Sequence, residues 1–233
     1  MEMRKIIVGD VHGCIRPLKK LLETVDFDEK QDMLIQLGDI IDRGPDPYGV
    51  YVFLRRKKGA MKERCVLIRG NHEQILIEDS RDPNFRQMWS QNGGKSTIKS
   101  WERRGSFVEN SAAWIEENTV LYYMDEEIRC AHAGMEDKEP DQISADVLLW
   151  DRMSLLDNQY GGPLTVVGHT PLSAPVYMDG KGGQALPLKE KCWYRLPKTG
   201  MICIDTGCVF QGKLTAMVVE DGIFSLWSAE GNP

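Results

Sequence analysis

The chain has 233 residues, of which 42% are hydrophobic and 27% charged, and its formal net charge at neutral pH is −6. This length and composition predict a globular protein with one sizeable core, which we expect to form a single domain over residues 1–233. The acidic balance argues against general nucleic-acid binding, which needs a basic surface. No apolar run approaches the roughly 18 residues of a membrane span.

The first residues and the cysteines predict a cytoplasmic protein. Residues 1–5 lead directly into a strand pattern and lack the apolar core and cleavage site of a secretory signal. The six cysteines show no CxxC spacing, and Cys65, Cys130 and Cys203 lie within apolar, strand-like runs. We therefore expect buried thiols in place of a disulfide framework or a zinc site.

The first third of the chain alternates predicted strands with predicted helices. Short apolar runs indicate strands at 5–8, 33–37 and 65–68, and helical patterns follow at 17–22, at 48–58 and at 73–78, where another helix starts. The second helix has a basic end followed by Gly59, which predicts its C-terminus there. Alternation of this kind is the α/β pattern.

The rest of the chain changes character twice. Residues 79–118 are predicted to be mainly helical, with three tryptophans in core positions: Trp89, Trp101 and Trp114. Strand-like runs then follow at 119–124, 127–131, 164–167, 175–178, 201–204, 214–219 and 223–227. Several are too close together for intervening helices, which predicts a second, antiparallel or mixed sheet packed on the first. A long surface loop is expected at 179–200.

All four histidines lie beside or near a glycine at the end of a predicted strand, and a fifth segment has the same form without histidine. The segments are Gly9-Asp10-Val11-His12-Gly13, Gly38-Asp39-Ile40-Ile41-Asp42-Arg43-Gly44, Gly70-Asn71-His72-Glu73, His132-Ala133-Gly134 and Gly168-His169. One Gly-Asp or Gly-His pair is common by chance. Five such segments after apolar runs predict a metal site, because the carboxyl ends of strands meet at one edge of an α/β sheet.

The side chains in these segments suit two divalent ions with a shared carboxylate. Six can serve as ligands: Asp10, His12, Asp39, Asn71, His132 and His169. Two ions roughly 3.5–4 Å apart activate a bridging water as a nucleophile and polarise phosphoryl oxygens. The chain has no GxSxG motif and no evident cysteine–histidine pairing, so acyl-enzyme chemistry is not favoured.

Other polar residues in or near the motifs are candidates for catalysis and phosphate binding. His72 follows a predicted ligand directly, and an imidazole there can protonate a leaving alkoxide. Asp42 can accept its other ring N–H and orient it. Arg43, Arg69 and Arg152 can hold phosphate oxygens through their planar forks, although each can instead form a structural ion pair.

These segments resemble the GDxHG, GDxxDRG, GNHE, HxG and GH motifs of PPP-type metallophosphoesterases, in the same order. Asn92-Gly93-Gly94 and Leu149-Trp150-Asp151-Arg152 further resemble bacterial and phage serine/threonine phosphatases of the lambda phosphatase type. The resemblance implies a four-layer calcineurin-like α/β fold, with two mixed β-sheets flanked by helices. It also implies two divalent metal ions, most commonly manganese in bacterial members, with iron or zinc in others.

The resemblance implies a role for each site residue. It places Asp10, His12 and Asp39 on one ion, and Asp39, Asn71, His132 and His169 on the other. It makes His72 the general acid paired with Asp42. It implies that Arg43 and Arg152, together with Asn71, contact the substrate phosphate.

The expected activity is hydrolysis of phosphomonoesters, with a serine/threonine protein phosphatase as the leading hypothesis. The alternative is a dinucleoside tetraphosphate hydrolase, which would use the same ions on a phosphoanhydride. Asp205-Thr206-Gly207-Cys208 resembles a segment shared by bacterial phosphatases and dinucleoside-polyphosphate hydrolases, so it is compatible with both hypotheses. A non-enzymatic metal-binding scaffold is disfavoured, since every ligand and the acid are present. The partner is therefore a phosphorylated protein or a small phosphoester, and segments 79–118 and 179–200 are expected to set specificity.

Overall fold

The computed structural model describes residues 3–231, which contain thirteen strands and eight α-helices. The strands are β1 (Lys5–Val8), β2 (Met33–Gln36), β3 (Cys65–Leu67), β4 (Tyr122–Met124), β5 (Arg129–Ala131), β6 (Thr165–Val167), β7 (Val176–Met178), β8 (Leu186–Pro187), β9 (Trp193–Arg195), β10 (Met201–Cys203), β11 (Asp205–Thr206), β12 (Lys213–Glu220) and β13 (Ile223–Glu230). The α-helices are α1 (Ile15–Thr24), α2 (Pro47–Met61), α3 (Asn71–Arg81), α4 (Phe85–Trp89), α5 (Lys95–Glu102), α6 (Glu109–Asn118), α7 (Ala145–Trp150) and α8 (Met153–Leu156).

The first sheet has seven strands and is mixed. Its order is β3-β2-β1-β12-β13-β9, with β11 paired to β12. Strands β1, β2 and β3 are parallel, and β12 runs antiparallel to β1, with Ile7 opposite Met217. Parallel pairing brings the carboxyl ends of the first three strands to one edge.

The second sheet has six strands in the order β4-β5-β6-β10-β7-β8. Its inner strands β5, β6 and β10 are parallel, whereas β4 and β7 pair antiparallel to their neighbours. The parallel strands again bring their carboxyl ends to one edge. Both sheets therefore offer an edge on which loop residues can converge.

Three apolar clusters divide the molecule into four layers. Alternate residues of β1 face opposite sides, because side chains alternate along a strand. Ile6 and Val8 join the cluster that includes α1 and α2, and Ile7 joins the cluster between the two sheets. A third cluster holds Leu148 of α7 against the outer face of the second sheet. The order helix, sheet, sheet, helix confirms the predicted four-layer α/β architecture with two mixed sheets.

Three local predictions were wrong. Segment 179–200 is not simply a surface loop, because β8 and β9 lie within it and β9 forms the edge of the first sheet. Its strands are short and largely exposed, so they carry no apolar run. Strands β12 and β13 complete the first sheet, not the second. Helix α2 continues through Gly59 to Met61.

Most predictions about buried residues were confirmed. Trp89 and Trp101 are fully buried, and Trp114 is partly buried against the same core. Cys65, Cys130 and Cys203 are buried as predicted, but Cys192 is exposed. Within residues 3–231, no helix is long and apolar enough to cross a membrane.

Candidate metal centre

The predicted ligands lie at the strand ends of both sheets. Asp10 follows β1 and Asp39 follows β2, while Asn71 begins α3 after β3. His132 follows β5 and His169 follows β6 in the second sheet. All of these side chains, together with His12, are buried. The two sheet edges therefore meet around one cluster of polar side chains.

Four potential ligand atoms converge at one end of this cluster. Asn71 Oδ1 lies 3.0 Å from His132 Nε2 and 3.1 Å from His169 Nδ1. The two imidazole nitrogens are 3.1 Å apart. One carboxylate oxygen of Asp39 lies 3.5 Å from His132 Nε2. These atoms could all reach a single ion.

The protonation of the two imidazoles supports that arrangement. His132 Nδ1 lies 2.8 Å from the Leu37 carbonyl oxygen, and His169 also hydrogen-bonds a backbone carbonyl, that of Trp150. Burial lowers the pKa of His132, and burial followed by the nearby His132 lowers the pKa of His169 to about 3. Each ring then keeps one N–H for its carbonyl and directs a lone pair into the cluster. A cation satisfies such converging acceptors, so the residues fit a divalent metal.

Asp39 connects this group to a second one. His12 Nδ1 is 2.8 Å from the Ile41 carbonyl oxygen, so Nε2 is the ring nitrogen that faces the cluster. It lies 3.3 Å from Asp39 Oδ2 and 2.7 Å from Arg43 Nη1. Burial would raise the pKa of Asp39, but its electrostatic interactions with the imidazoles of His132, His72 and His12 hold it well below its usual range. A carboxylate shared by both groups fits a bridging ligand.

Asp10 lies beside the second group with a carboxylate fixed by the backbone. Its two oxygens accept the His169 backbone N–H at 3.2 and 3.1 Å. Burial raises the pKa of Asp10 well above its usual range, with the charges of Asp205 and Asp39 adding to the effect. A carboxyl group that is costly to ionise in isolation is stabilised as an anion by a bound cation.

His72 and Asp42 form a buried pair next to these groups. His72 Nδ1 lies 2.7 Å from Asp42 Oδ2, as expected for an oriented imidazole. His72 Nε2 lies 3.8 Å from Asp39 Oδ2, so distance alone also allows His72 to join His12 and Asp39 as a ligand. The Asp42 contact occupies one ring nitrogen and leaves Nε2 facing the cluster.

Two of the three candidate arginines lie at the cluster. Arg43 is exposed, its Nη1 lies 2.7 Å from His12 Nε2, and its guanidinium lies 5.4 Å from the centre of the Phe210 ring. Arg152 Nη1 donates to the His169 carbonyl oxygen at 3.1 Å and to Thr170 Oγ1 at 3.0 Å. Both residues are exposed, so their further N–H groups can bind an anion beside the cluster.

Arg69 has a structural environment instead. Its guanidinium donates to Thr119 Oγ1 at 3.0 Å, to Gln74 Oε1 at 3.1 Å and to the Glu116 carbonyl oxygen at 2.9 Å. These contacts tie the end of β3 to α3 and α6. Its donors are directed to the protein, which favours the structural alternative for this arginine.

Sequence reasoning missed several residues that support the cluster. Glu73 accepts backbone N–H groups from Asp39 at 2.7 Å, Ile40 at 3.0 Å and Gly70 at 3.0 Å, although it was visible within the GNHE segment. Burial, with the charge of Asp39, raises the pKa of Glu73 to about 8. Asp205 is buried near Asp10, and only the resemblance of its segment pointed to it.

The backbone is strained at the same place. Five residues of the cluster have positive φ, a region that L-residues occupy at a cost: His12, Asp39, Asp42, Arg43 and His169. Such residues concentrate at functional sites, where surrounding contacts hold them. The Glu73 carboxyl group is one such contact, since it accepts the backbone N–H groups of Asp39, Ile40 and Ile41.

Converging histidines and carboxylates at the joined edges of two mixed sheets are the arrangement of a metal-dependent hydrolase. The profile of the calcineurin-like phosphoesterase family matches residues 3–196, so the chain belongs to that family and shares its fold. Family members use divalent metal ions, which agrees with the histidine and aspartate groups found here.

Two groups of curated relatives are similar over nearly the full chain. The chain is 30% identical over 228 residues to serine/threonine-protein phosphatase 1 of Salmonella typhimurium, covering 92% of this chain and 91% of that protein. It is 25% identical over 264 residues to the symmetrical bis(5'-nucleosyl)-tetraphosphatase of Nitrosospira multiformis, covering 92% of each.

Solved structures share the fold at lower identity. A serine/threonine phosphatase from Saccharomyces cerevisiae matches with a TM-score of 0.65 at 15% identity, covering 99% of this chain and 81% of that chain. A metallophosphoesterase from Sphaerobacter thermophilus matches with a TM-score of 0.64 at 16% identity, covering 99% and 90%. The fold is therefore shared by phosphoesterases of different origin.

Proposed function

We propose that this chain is a phosphomonoester hydrolase that acts on phosphoserine and phosphothreonine in proteins. The buried His72–Asp42 pair beside the converging ligands carries the proposal, because alkoxide leaving groups need a proton donor. Similarity to the Salmonella phosphatase over 92% of the chain supports the same substrate class. Ligands from both sheets support one catalytic domain spanning the chain.

The proposed ligands are those predicted, with Asp10, His12 and Asp39 on one ion and Asp39, Asn71, His132 and His169 on the other. Two divalent ions, for which we propose Mn2+, would supply an activated water and Lewis acidity toward the phosphoryl oxygens. The chain would hold imidazole nitrogens and carboxylates at the two sites. The backbone carbonyl contacts of His12 Nδ1 and His132 Nδ1 support this, because they direct the Nε2 atoms toward the cluster.

The other residues act on the substrate. Arg43 and Arg152 bind the non-bridging phosphate oxygens, with Asn71 near the same oxygens, and stabilise their charge in the transition state. As an oxygen–phosphorus bond forms from water, the bond to the serine or threonine oxygen breaks. His72 gives its Nε2 proton to that departing oxygen, while Asp42 holds Nδ1–H. The products are inorganic phosphate and the free hydroxyl group.

The second candidate is symmetrical hydrolysis of dinucleoside tetraphosphates, supported by 25% identity over 92% of the chain to the Nitrosospira enzyme. The same site would cleave a phosphoanhydride, whose leaving group needs less protonation. Purified protein with Mn2+ should cleave a phosphothreonine peptide with a higher kcat/KM than diadenosine tetraphosphate. A higher kcat/KM on diadenosine tetraphosphate than on the peptide would favour the second candidate function instead.

The acid role is tested with His72→Asn. We expect kcat on a phosphoserine peptide to fall roughly 10²–10⁴-fold. The fall on p-nitrophenyl phosphate should be much smaller, because its leaving group is stable without a proton. Metal content should be unchanged. Loss of one metal equivalent would instead make His72 a ligand, which its 3.8 Å distance from Asp39 Oδ2 allows.

A further inference from the structure

Besides His72, two residues outside the strand-end motifs bind the carboxylate of Asp42. Trp89 Nε1 donates to its oxygens Oδ2 and Oδ1 at 2.9 and 3.1 Å. Thr97 Oγ1 donates to Oδ1 at 2.5 Å and accepts the Asp42 backbone N–H at 2.9 Å. All four side chains are buried. Each carboxylate oxygen thus has at least two donors.

The two donors come from one kinked helical segment, formed by α4, a turn at Ser90–Gly94 and α5. Gly93 has φ 110°, and its carbonyl accepts the Arg43 backbone N–H at 3.3 Å. A Cβ at Gly94 would lie 2.7 Å from the Trp89 ring, so the indole packs directly on the turn. The segment therefore contacts Asp42 and Arg43 together.

This geometry has a consequence for the imidazole of His72. A single hydrogen bond orients a ring only if the acceptor itself cannot rotate. Rotation of the Asp42 carboxylate breaks at least one bond to Trp89 or Thr97, and in a buried site the freed donor finds no water to replace it. Asp42 also has a φ of 67°, a strained conformation that needs such support.

We propose that Trp89 and Thr97 are positioning residues for the general acid, and that the kinked segment 85–102 serves leaving-group protonation as well as packing. The inference rests on the proposed role of His72 and extends it to two residues that do not touch the substrate. Outer contacts of this kind typically affect activity by about 10–100-fold when removed.

The test uses Thr97→Val, which removes the hydroxyl at nearly constant volume, and Trp89→Phe, which removes the N–H. Thr97→Ser keeps the hydroxyl and should restore activity. Each preparation is assayed on a phosphoserine peptide and on p-nitrophenyl phosphate, so the ratio of the two kcat values is independent of the folded fraction. We expect the first two variants to lower kcat on the peptide about 10–100-fold, with a much smaller effect on the aryl ester.

Trp101→Phe is the matched control. Trp101 is also buried in this segment, but its Nε1 donates to Ser111 Oγ at 2.8 Å and not to Asp42. The same substitution there should leave the ratio of the two kcat values unchanged. A similar change of the ratio in Trp101→Phe would mean that packing of the segment, not the bond to Asp42, sets the effect, and the inference would be wrong.

The result for His72→Asn separates the inference from the proposed function. If His72→Asn changes the ratio and both Trp89→Phe and Thr97→Val leave it at the wild-type value, the positioning role is wrong and the acid role stands. If His72→Asn itself leaves the ratio unchanged, the acid role fails and the inference fails with it. A changed ratio in all three variants, restored in Thr97→Ser, supports both.

Discussion

Replacing Gly168 by alanine places a methyl group against a proposed metal ligand. An ideal Cβ at this position lies 2.0 Å from Asp10 Oδ1, whereas ordinary contact begins at 3.4 Å, so the carboxylate has to shift by about 1.4 Å. The φ of Gly168 is not in the left-handed region, so the contact alone produces the effect. The shift would break the hydrogen bonds from the His169 N–H to Asp10, at a cost of about 1.5–3 kcal/mol when a bound cation keeps this acceptor ionised.

We therefore expect Gly168→Ala to lower the free energy of unfolding by about 2 kcal/mol and kcat/KM by roughly 10²-fold, as for a 1 Å misplacement. Urea denaturation, Mn2+ titration by calorimetry and phosphatase kinetics measure these effects. Gly59→Ala is the control, since nothing lies within 4 Å of its Cβ and the residue is exposed within α2. It should stabilise the protein by up to about 1 kcal/mol. Wild-type metal affinity and kcat/KM in Gly168→Ala would refute the ligand role of Asp10.

Chelation should lower the melting temperature and abolish hydrolysis, and added Mn2+ should restore both; full activity after complete metal removal, checked by elemental analysis, would contradict a metal mechanism. Lys5→Met should cost about 2 kcal/mol at neutral pH, a value between those of exposed and buried pairs, because Lys5 pairs with Asp125 and Glu127. Burial opposes ionisation of Asp125, but its hydrogen bonds, that of Lys5 first, lower its pKa below the usual 3.8. The stabilisation by ionised Asp125 is present above about pH 4, the region of the unfolded-state pKa, and is lost as the pH falls through the lower pKa of the folded state. When the free energy of unfolding is measured against pH, the variant should therefore lose less stability in acid than the wild type. Gly93→Ala should raise KM for phosphopeptide, because its Cβ would lie 2.7 Å from Arg43 Cγ; an unchanged KM would mean that Arg43 needs no support from the turn.

The parts of the molecule that could be predicted from sequence are those with short local signals. Asp10, His12 and His169 adjoin apolar runs and glycines, and parallel strands bring such ends together, so their convergence followed from the pattern. The partition into two ions with a shared Asp39 depended on the resemblance, and the geometry around Asp39 is compatible with it.

The remainder depends on contacts between distant segments. Trp89 and Thr97 lie 47 and 55 residues from Asp42 in the sequence. The residues around Trp89 do not indicate whether its indole binds a carboxylate or only packs in the core. Trp193 and Arg195 belong to the edge strand β9, which is held by its pairing with β13. This strand has no apolar run from which it could be predicted. The sheet to which β12 and β13 belong could not be predicted either, because their apolar pattern would be the same in both sheets.

The position of β1 in its sheet affects how the protein is made. Strand β1, which Asp10 follows, lies between β2 and β12. Strand β2 comes soon after β1 in the sequence, but β12 comes roughly 200 residues later. At about 5–20 residues per second, a ribosome needs roughly 10–40 s to span that distance. During this interval one edge of β1 lacks its partner, and exposed strand edges pair readily with other chains. The unpaired edge of β1 is therefore expected to be prone to pairing with other chains until β12 has been synthesised.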